Sequence, residues 1–167
     1  MPSLYLIRHG IAEERGTHED DNLRSLTDEG RKKTKQVAKR LYDLGLRFDL
    51  LQTSPLVRAQ QTSEIFANTF NCAVEKSEEL APEGNLEAWL SWANNWLAQH
   101  PQPARASLGI IGHEPDLTTW AEILLWGEAK GVLVLKKAGI IGLALPENEP
   151  WQENSILFLS IPPKLLI

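Results

Sequence analysis

Two short, unbroken apolar runs constrain the fold of this chain most. Leu4-Tyr5-Leu6-Ile7 ends in Arg8-His9-Gly10, and Leu108-Gly109-Ile110-Ile111 ends in Gly112-His113-Glu114-Pro115. Neither run shows the polar alternation of a strand with one wet face. Each therefore predicts a strand buried on both faces, as in a parallel sheet. Such a sheet needs helices over both faces, and the intervening sequence supplies them. Thr27 is a candidate N-cap, with Asp28 and Glu29 in the first turn, where the helix dipole favours acids. Val37, Ala38, Leu41 and Leu44 follow at helical spacing, and Gly45 is placed to end that helix.

Phe48–Thr53 predicts a second strand, and Ser54-Pro55 a second helix, with Ser54 as cap and Pro55 as first residue, running to about Phe70. Ala73–Glu75 predicts a weak third strand. A third helix carries Trp89, Trp92 and Trp96 on one face, read as packing, and closes before Pro101 and Pro103. A fourth helix runs from about Pro115 to Trp126-Gly127. Val132–Leu135 and Ile140–Leu145, flanking Lys136-Lys137-Ala138-Gly139, predict a hairpin, and Ile156–Ile161 a last strand. The expected fold class is α/β: one layered domain over residues 1–167, with a mainly parallel central sheet, helices on both faces and antiparallel pairing toward its C-terminal end.

Composition narrows the function. The 17 Lys and Arg against 22 Asp and Glu give a net charge of −5, a poor balance for a general polyanion binder. Arg31, Lys32, Lys33, Lys35, Lys39 and Arg40 form a basic helix flank. It reads as a solvated face or a docking surface for an acidic protein. No aromatic residues are interleaved with it, which argues against nucleic acid. Cys72 is the only cysteine, so no internal disulfide forms. Met1-Pro2-Ser3-Leu4 shows no signal peptide, and no apolar run nears the ~18 residues of a membrane helix. A cytoplasmic monomer is expected. The histidines lack zinc-ligand spacing, and no metal or cofactor is expected; His18 and His100 read as surface residues.

Ligands of a parallel α/β sheet bind beyond the carboxyl ends of its strands. Three such ends here carry Arg8-His9-Gly10, Thr53-Ser54-Pro55 with Arg58 just after, and Gly112-His113. Converged, Arg8, His9, Arg58 and His113 suit a phosphoryl dianion. The arginines grip its oxygens as forks. A neutral His9, kept unprotonated by two guanidinium groups, attacks phosphorus, and His113 donates a hydrogen bond to the developing charge. Gly10, by close backbone approach, and Ser54, at a helix start, complete the expected binding set.

These motifs resemble those of the histidine phosphatase superfamily over almost the whole chain. Leu4–Gly10 is similar to its opening, Leu26–Arg31 to its first-helix entry, Thr53–Thr62 to its second motif and Gly112–Pro115 to its third. The resemblance implies a phosphoglycerate mutase-like fold and phosphorylation of His9, with Arg8, Arg58 and His113 forming the phosphate pocket. Gly112–Asp116, Leu135–Gly139 and the short length are most similar to the SixA-like branch, the phosphohistidine phosphatases. That implies a phosphohistidine-bearing protein, such as a phosphotransfer domain, as partner. Larger relatives commonly supply an acidic proton donor; Glu79 and Glu83 are the candidates for that role here. The alternatives are a small-molecule phosphomonoesterase using the same residues, and a phosphoprotein-binding module without catalysis.

Overall fold

The computed structural model describes residues 1–167. In chain order its elements are β1 (Ser3–Arg8), α1 (Asp28–Asp43), β2 (Leu50–Thr53), α2 (Val57–Phe70) and β3 (Val74–Lys76), then α3 (Leu86–Gln99), β4 (Ser107–Gly112), α4 (Asp116–Trp126), β5 (Ile140–Ala144) and β6 (Ile156–Ile161). They form one six-stranded sheet in the order β3-β2-β4-β1-β5-β6. β3, β2, β4 and β1 run parallel, and β5 and β6 join antiparallel. The fold is thus the expected α/β layered domain.

The apolar runs are central strands, and side-chain alternation divides them between two cores. Leu4 and Leu6 of β1 and Ile110 of β4 face Trp89, Leu90, Leu117 and Trp120 of α3 and α4. Tyr5, Ile7 and Ile111 face Val37, Leu41, Ala59 and Phe66 of α1 and α2. Leu4, Leu6, Ile7, Ile110 and Ile111 are all fully buried. Each such side chain contributes about 1.5–3 kcal/mol, so neither helical layer can be removed without exposing the sheet. The tryptophans pack as expected: Trp89 is sealed in the first core, where its indole N–H donates to Gln52 Oε1 at 2.8 Å. Trp92 and Trp96 lie partly buried against the same core.

The start of α1 is capped as expected, with Thr27 Oγ1 accepting from the Gly30 N–H at 3.0 Å. A Cβ on Gly30 would strike the Ile11 carbonyl. Glycine there lets the helix close against the segment that leaves β1. Gly127, at φ 82°, ends α4 in the left-handed region that favours glycine.

Two expectations fail. The second helix starts at Val57 rather than Pro55, with Leu56 as cap. Ser54 Oγ instead accepts from the Leu56 N–H at 3.2 Å, closing a turn before the helix begins. The hairpin is also absent: β5 pairs with β1 and β6, and Val132–Leu135 is not a strand. Side chains capture the backbone of that segment. The Glu122 carboxylate accepts from the N–H groups of Gly131 and Val132 at 3.0 Å each, and Arg8 Nη1 donates to the Leu135 carbonyl at 3.1 Å.

Candidate active site

Strand pairing brings the separated motifs together. β1 and β4 are neighbours with Arg8 opposite Gly112, and the His9 N–H extends the ladder to the Gly112 carbonyl at 3.2 Å. His9 and His113 therefore leave adjacent strand ends, their ring centroids 5.3 Å apart. β2 lies on the other side of β4 and delivers Arg58 in the first turn of α2. Arg8, His9, Arg58 and His113 all line one cavity of about 400 Å³ that has no hydrophobic residue in its wall.

The segment before α1 also closes over this cavity. Arg15, Asp21, Asn22 and Arg24 line it, and Lys137 reaches it from the turn before β5. The loop is pinned by Glu13, whose Oε1 accepts from the Ser25 N–H and Ser25 Oγ, both at 2.8 Å. Those bonds, the Ser25 N–H first and His18 with them, lower the Glu13 carboxyl to about 2. Arg24, itself buried, donates to Asp21 Oδ1 at 2.7 Å and to the Glu13 carbonyl at 2.7 Å. Asp21 in turn meets Arg58, whose Nη1 donates to its carbonyl at 3.1 Å. The wall is thus strongly cationic in a chain of net charge −5.

His9 Nδ1 lies 2.7 Å from the Gly10 carbonyl oxygen, which can only accept. The ring proton therefore sits on Nδ1, and the Nε2 lone pair is left free. His9 is lowered to about 3, first by burial, then by His113, Arg58 and Arg8, against the raising effect of the Gly10 bond. The arginines were expected to be the cause, but burial outweighs them. His113 is lowered to about 4, again by burial first and then by Arg58, Arg24 and Arg8. Its Nε2 lies 2.7 Å from Ser54 Oγ. Arg8 Nε, Arg58 Nε and His113 Nδ1 are buried without a hydrogen-bond partner; Thr34 Oγ1 is the only other such side-chain atom in the chain. Each unpaired buried group costs about 1–3 kcal/mol, so three of them around one cavity mark residues that folding alone does not explain.

Both histidines are then neutral across the ordinary pH range. An NMR titration of the imidazole nitrogens should show His9 as the Nδ1–H tautomer, unprotonated down to about pH 5; a midpoint near ~6.5 for His9 contradicts this electrostatic description. Linkage gives the sign for stability. The unfolded chain binds these protons at about pH 6.5 and the folded chain resists them. The stabilisation is therefore complete above that pH and lost as pH falls toward the folded values, at about 1.4 kcal/mol per pH unit for each histidine.

Gly10 and Ser54 do not line the cavity. The Gly10 N–H donates to Thr62 Oγ1 at 3.0 Å, and a Cβ there would collide with Thr34 Oγ1. Glycine at this position lets the segment that leaves β1 pack on α1 rather than on a ligand. Ser54 is fully buried and acts on His113. Glu79 and Glu83 also stay out of the wall: Glu79 Oε2 caps the Asn85 N–H at 2.9 Å, and the Glu83 N–H is held by Asp116 Oδ2 at 2.7 Å. Besides Asp21, the carboxyl that lines the cavity is Glu114, which the sequence shows only as part of Gly-His-Glu-Pro. Its Oε2 accepts from the Thr118 N–H at 2.9 Å, and burial raises the group above the usual carboxylate range. Arg15, Asp21 and Arg24 were likewise missed, because an irregular charged loop carries no periodicity to show which side chains turn inward. His18 lies against Glu13 and His100 against Asp49, both away from the cavity. No group of three or more His, Cys, Asp or Glu side chains that could hold a metal converges anywhere. No helix is long and apolar enough to cross a membrane.

Residues 4–111 match the profile of the histidine phosphatase superfamily (branch 1). The chain belongs to this superfamily. An uncharacterized protein of Picosynechococcus sp. is 42% identical over 166 residues, covering 98% of each chain. The solved structure of the protein histidine phosphatase SixA complexed with tungstate superposes with a TM-score of 0.82 at 22% identity, over 99% of both chains. Phosphoserine phosphatase from Entamoeba histolytica, in complex with 3-phosphoglyceric acid, superposes with a TM-score of 0.67 at 20% identity, over 96% of both. At these identities the two structures show the histidine phosphatase fold, and the chain is a phosphatase by family.

Proposed function

We propose that this histidine phosphatase is a cytoplasmic, metal-independent enzyme that hydrolyses phosphohistidine in a protein, with His9 as nucleophile. The observation that carries this reading is the state of His9: neutral, proton on Nδ1, lone pair free on Nε2, in a wall of arginines. In the first step Nε2 attacks phosphorus as the substrate P–N bond breaks. The Gly10 carbonyl holds the Nδ1–H of the ring as it becomes positive. Arg8 and Arg58 neutralise the phosphoryl oxygens, and His113 donates to them. Water then attacks phosphorus, His9 leaves as neutral imidazole, and the proton of water departs with phosphate. The likeness to SixA, solved with the tetrahedral oxyanion tungstate, supports the reading.

The leaving group decides the substrate class. A phosphohistidine protonated on its other ring nitrogen departs as neutral imidazole, whose conjugate acid has a pKa near ~6.5. It needs no acid from the enzyme, whereas an alkoxide needs one. Glu114 favours the second reading, a small-molecule phosphomonoesterase, because burial makes it a better proton holder than an ordinary carboxyl. The two are separated by kcat/KM, with EDTA present, for a phosphohistidine phosphotransfer domain, a phosphoserine peptide and sugar phosphates. The expected result is at least ~10-fold preference for the P–N substrate, about 1.4 kcal/mol in the barrier, with Glu114→Gln changing P–N cleavage by less than about twofold. Equal or better use of alkyl phosphates, lost in Glu114→Gln, establishes the phosphomonoesterase instead. No turnover of any of them leaves a phosphoprotein-binding module.

A further inference from the structure

A second cavity, of about 360 Å³, shares Arg8 and Lys137 with the first. Lys33 of α1, Lys136 beside Lys137 and Lys164 beyond β6 complete its cationic wall, and no acidic side chain lines it. The two turn lysines are held firmly. The Gly139 N–H closes their turn on the Lys136 carbonyl at 2.7 Å, and the Ala138 N–H reaches the Arg8 and His9 carbonyls at 3.1 Å each. The position of Lys136 and Lys137 is thus tied to the strand end that carries the nucleophile. Of the basic helix flank, only Lys33 turns to this cavity, and it is also paired with exposed Glu29 at 2.9 Å. Lys39 is paired with Asp43 at 2.8 Å instead. Lys136, Lys137 and Lys164 lie among no ion pairs and are exposed. The hydroxyl of Thr34, in the same wall, is buried with no hydrogen-bond partner.

Unpaired cations clustered around a cavity repel one another and are relieved by an anion. These lysines are long, exposed and drawn from separate elements, which suits a carboxylate offered on another protein's surface. We propose that this cavity docks an acidic side chain of the phosphoprotein substrate while its phosphoryl group lies in the arginine-lined cavity. The proposal rests on the phosphohistidine reading above and adds the chemistry of the partner: a phosphohistidine flanked by Asp or Glu. Exposed charges of this kind set partner choice and salt dependence more than ultimate affinity.

The test uses two peptides that differ only in having Asp and Glu, or Asn and Gln, beside the phosphohistidine. Binding is measured by fluorescence anisotropy on non-hydrolysable phosphonate analogues, and turnover on the phosphohistidine forms. The wild-type chain should bind the acidic analogue on the order of five- to tenfold more tightly at low salt. The Lys136→Glu/Lys164→Glu variant should lose that preference while keeping p-nitrophenyl phosphate turnover within about twofold. Equal binding by the wild-type chain overturns the docking site, as does a preference that survives the double charge reversal. Loss of p-nitrophenyl phosphate turnover in the variant also counts against it, since these lysines would then serve the phosphate cavity itself. A binding preference without turnover of either phosphohistidine peptide overturns the phosphohistidine activity and leaves the docking site standing.

Discussion

His9→Ala lowers turnover of p-nitrophenyl phosphate by roughly 10⁴- to 10⁶-fold, the expected loss when a covalent nucleophile is removed. The fold survives the change. The His9 side chain makes its hydrogen bond to the carbonyl of its own neighbour, and its backbone N–H keeps the ladder to Gly112. The variant should therefore unfold near the wild-type urea midpoint. Adding free imidazole should restore part of the rate by entering the space left by the ring. Wild-type turnover in His9→Ala would show that the free Nε2 lone pair has no part in the chemistry.

Arg58→Lys lowers kcat/KM by about 10- to 100-fold, matching the ~1.5–3 kcal/mol that a charged hydrogen bond contributes. A lysine replaces the charge but not the fork. Arg58→Ala does more than disarm the site. A guanidinium that simply reached out of the helix would cost little core when cut, but Arg58 is buried, at 4% exposure, and its Nη1 holds the Asp21 carbonyl. Truncation leaves a void and releases the loop that Asp21 and Arg24 anchor, so the unfolding midpoint should fall with the activity. Kinetics and urea unfolding on both variants check this. Arg58→Lys with wild-type kinetics would contradict the role given to the fork.

The sheet was legible because its central strands are buried on both faces, so Leu4–Ile7 and Leu108–Ile111 could be little else. Thr27 and Gly127 marked helix ends through local chemistry that tertiary contacts did not override. Arg8, His9, Arg58 and His113 were legible for a topological reason: each lies at or just after a strand carboxyl end, and parallel neighbours bring such ends together. Val132–Leu135 misled because its apolar, β-branched character is that of a strand, while the carboxylate that captures its backbone, Glu122, lies on α4. Ser54 misled for a related reason. A serine before proline fits a helix cap, but burial beside His113 turned its hydroxyl to the imidazole. The role of burial in lowering His9 was invisible, since charge can be counted along a chain and desolvation depends on what the finished fold packs around a ring.

The most direct measurement is a rapid quench of the wild-type chain with ³²P-labelled phosphohistidine protein, without acid, followed by mapping of the labelled residue. The expected product is a transient phosphoenzyme, stable in base and lost in acid, with the label on Nε2 of His9 and none in His9→Ala. Full turnover with no label at His9, or the same label in His9→Ala, would contradict phosphoryl transfer through this imidazole.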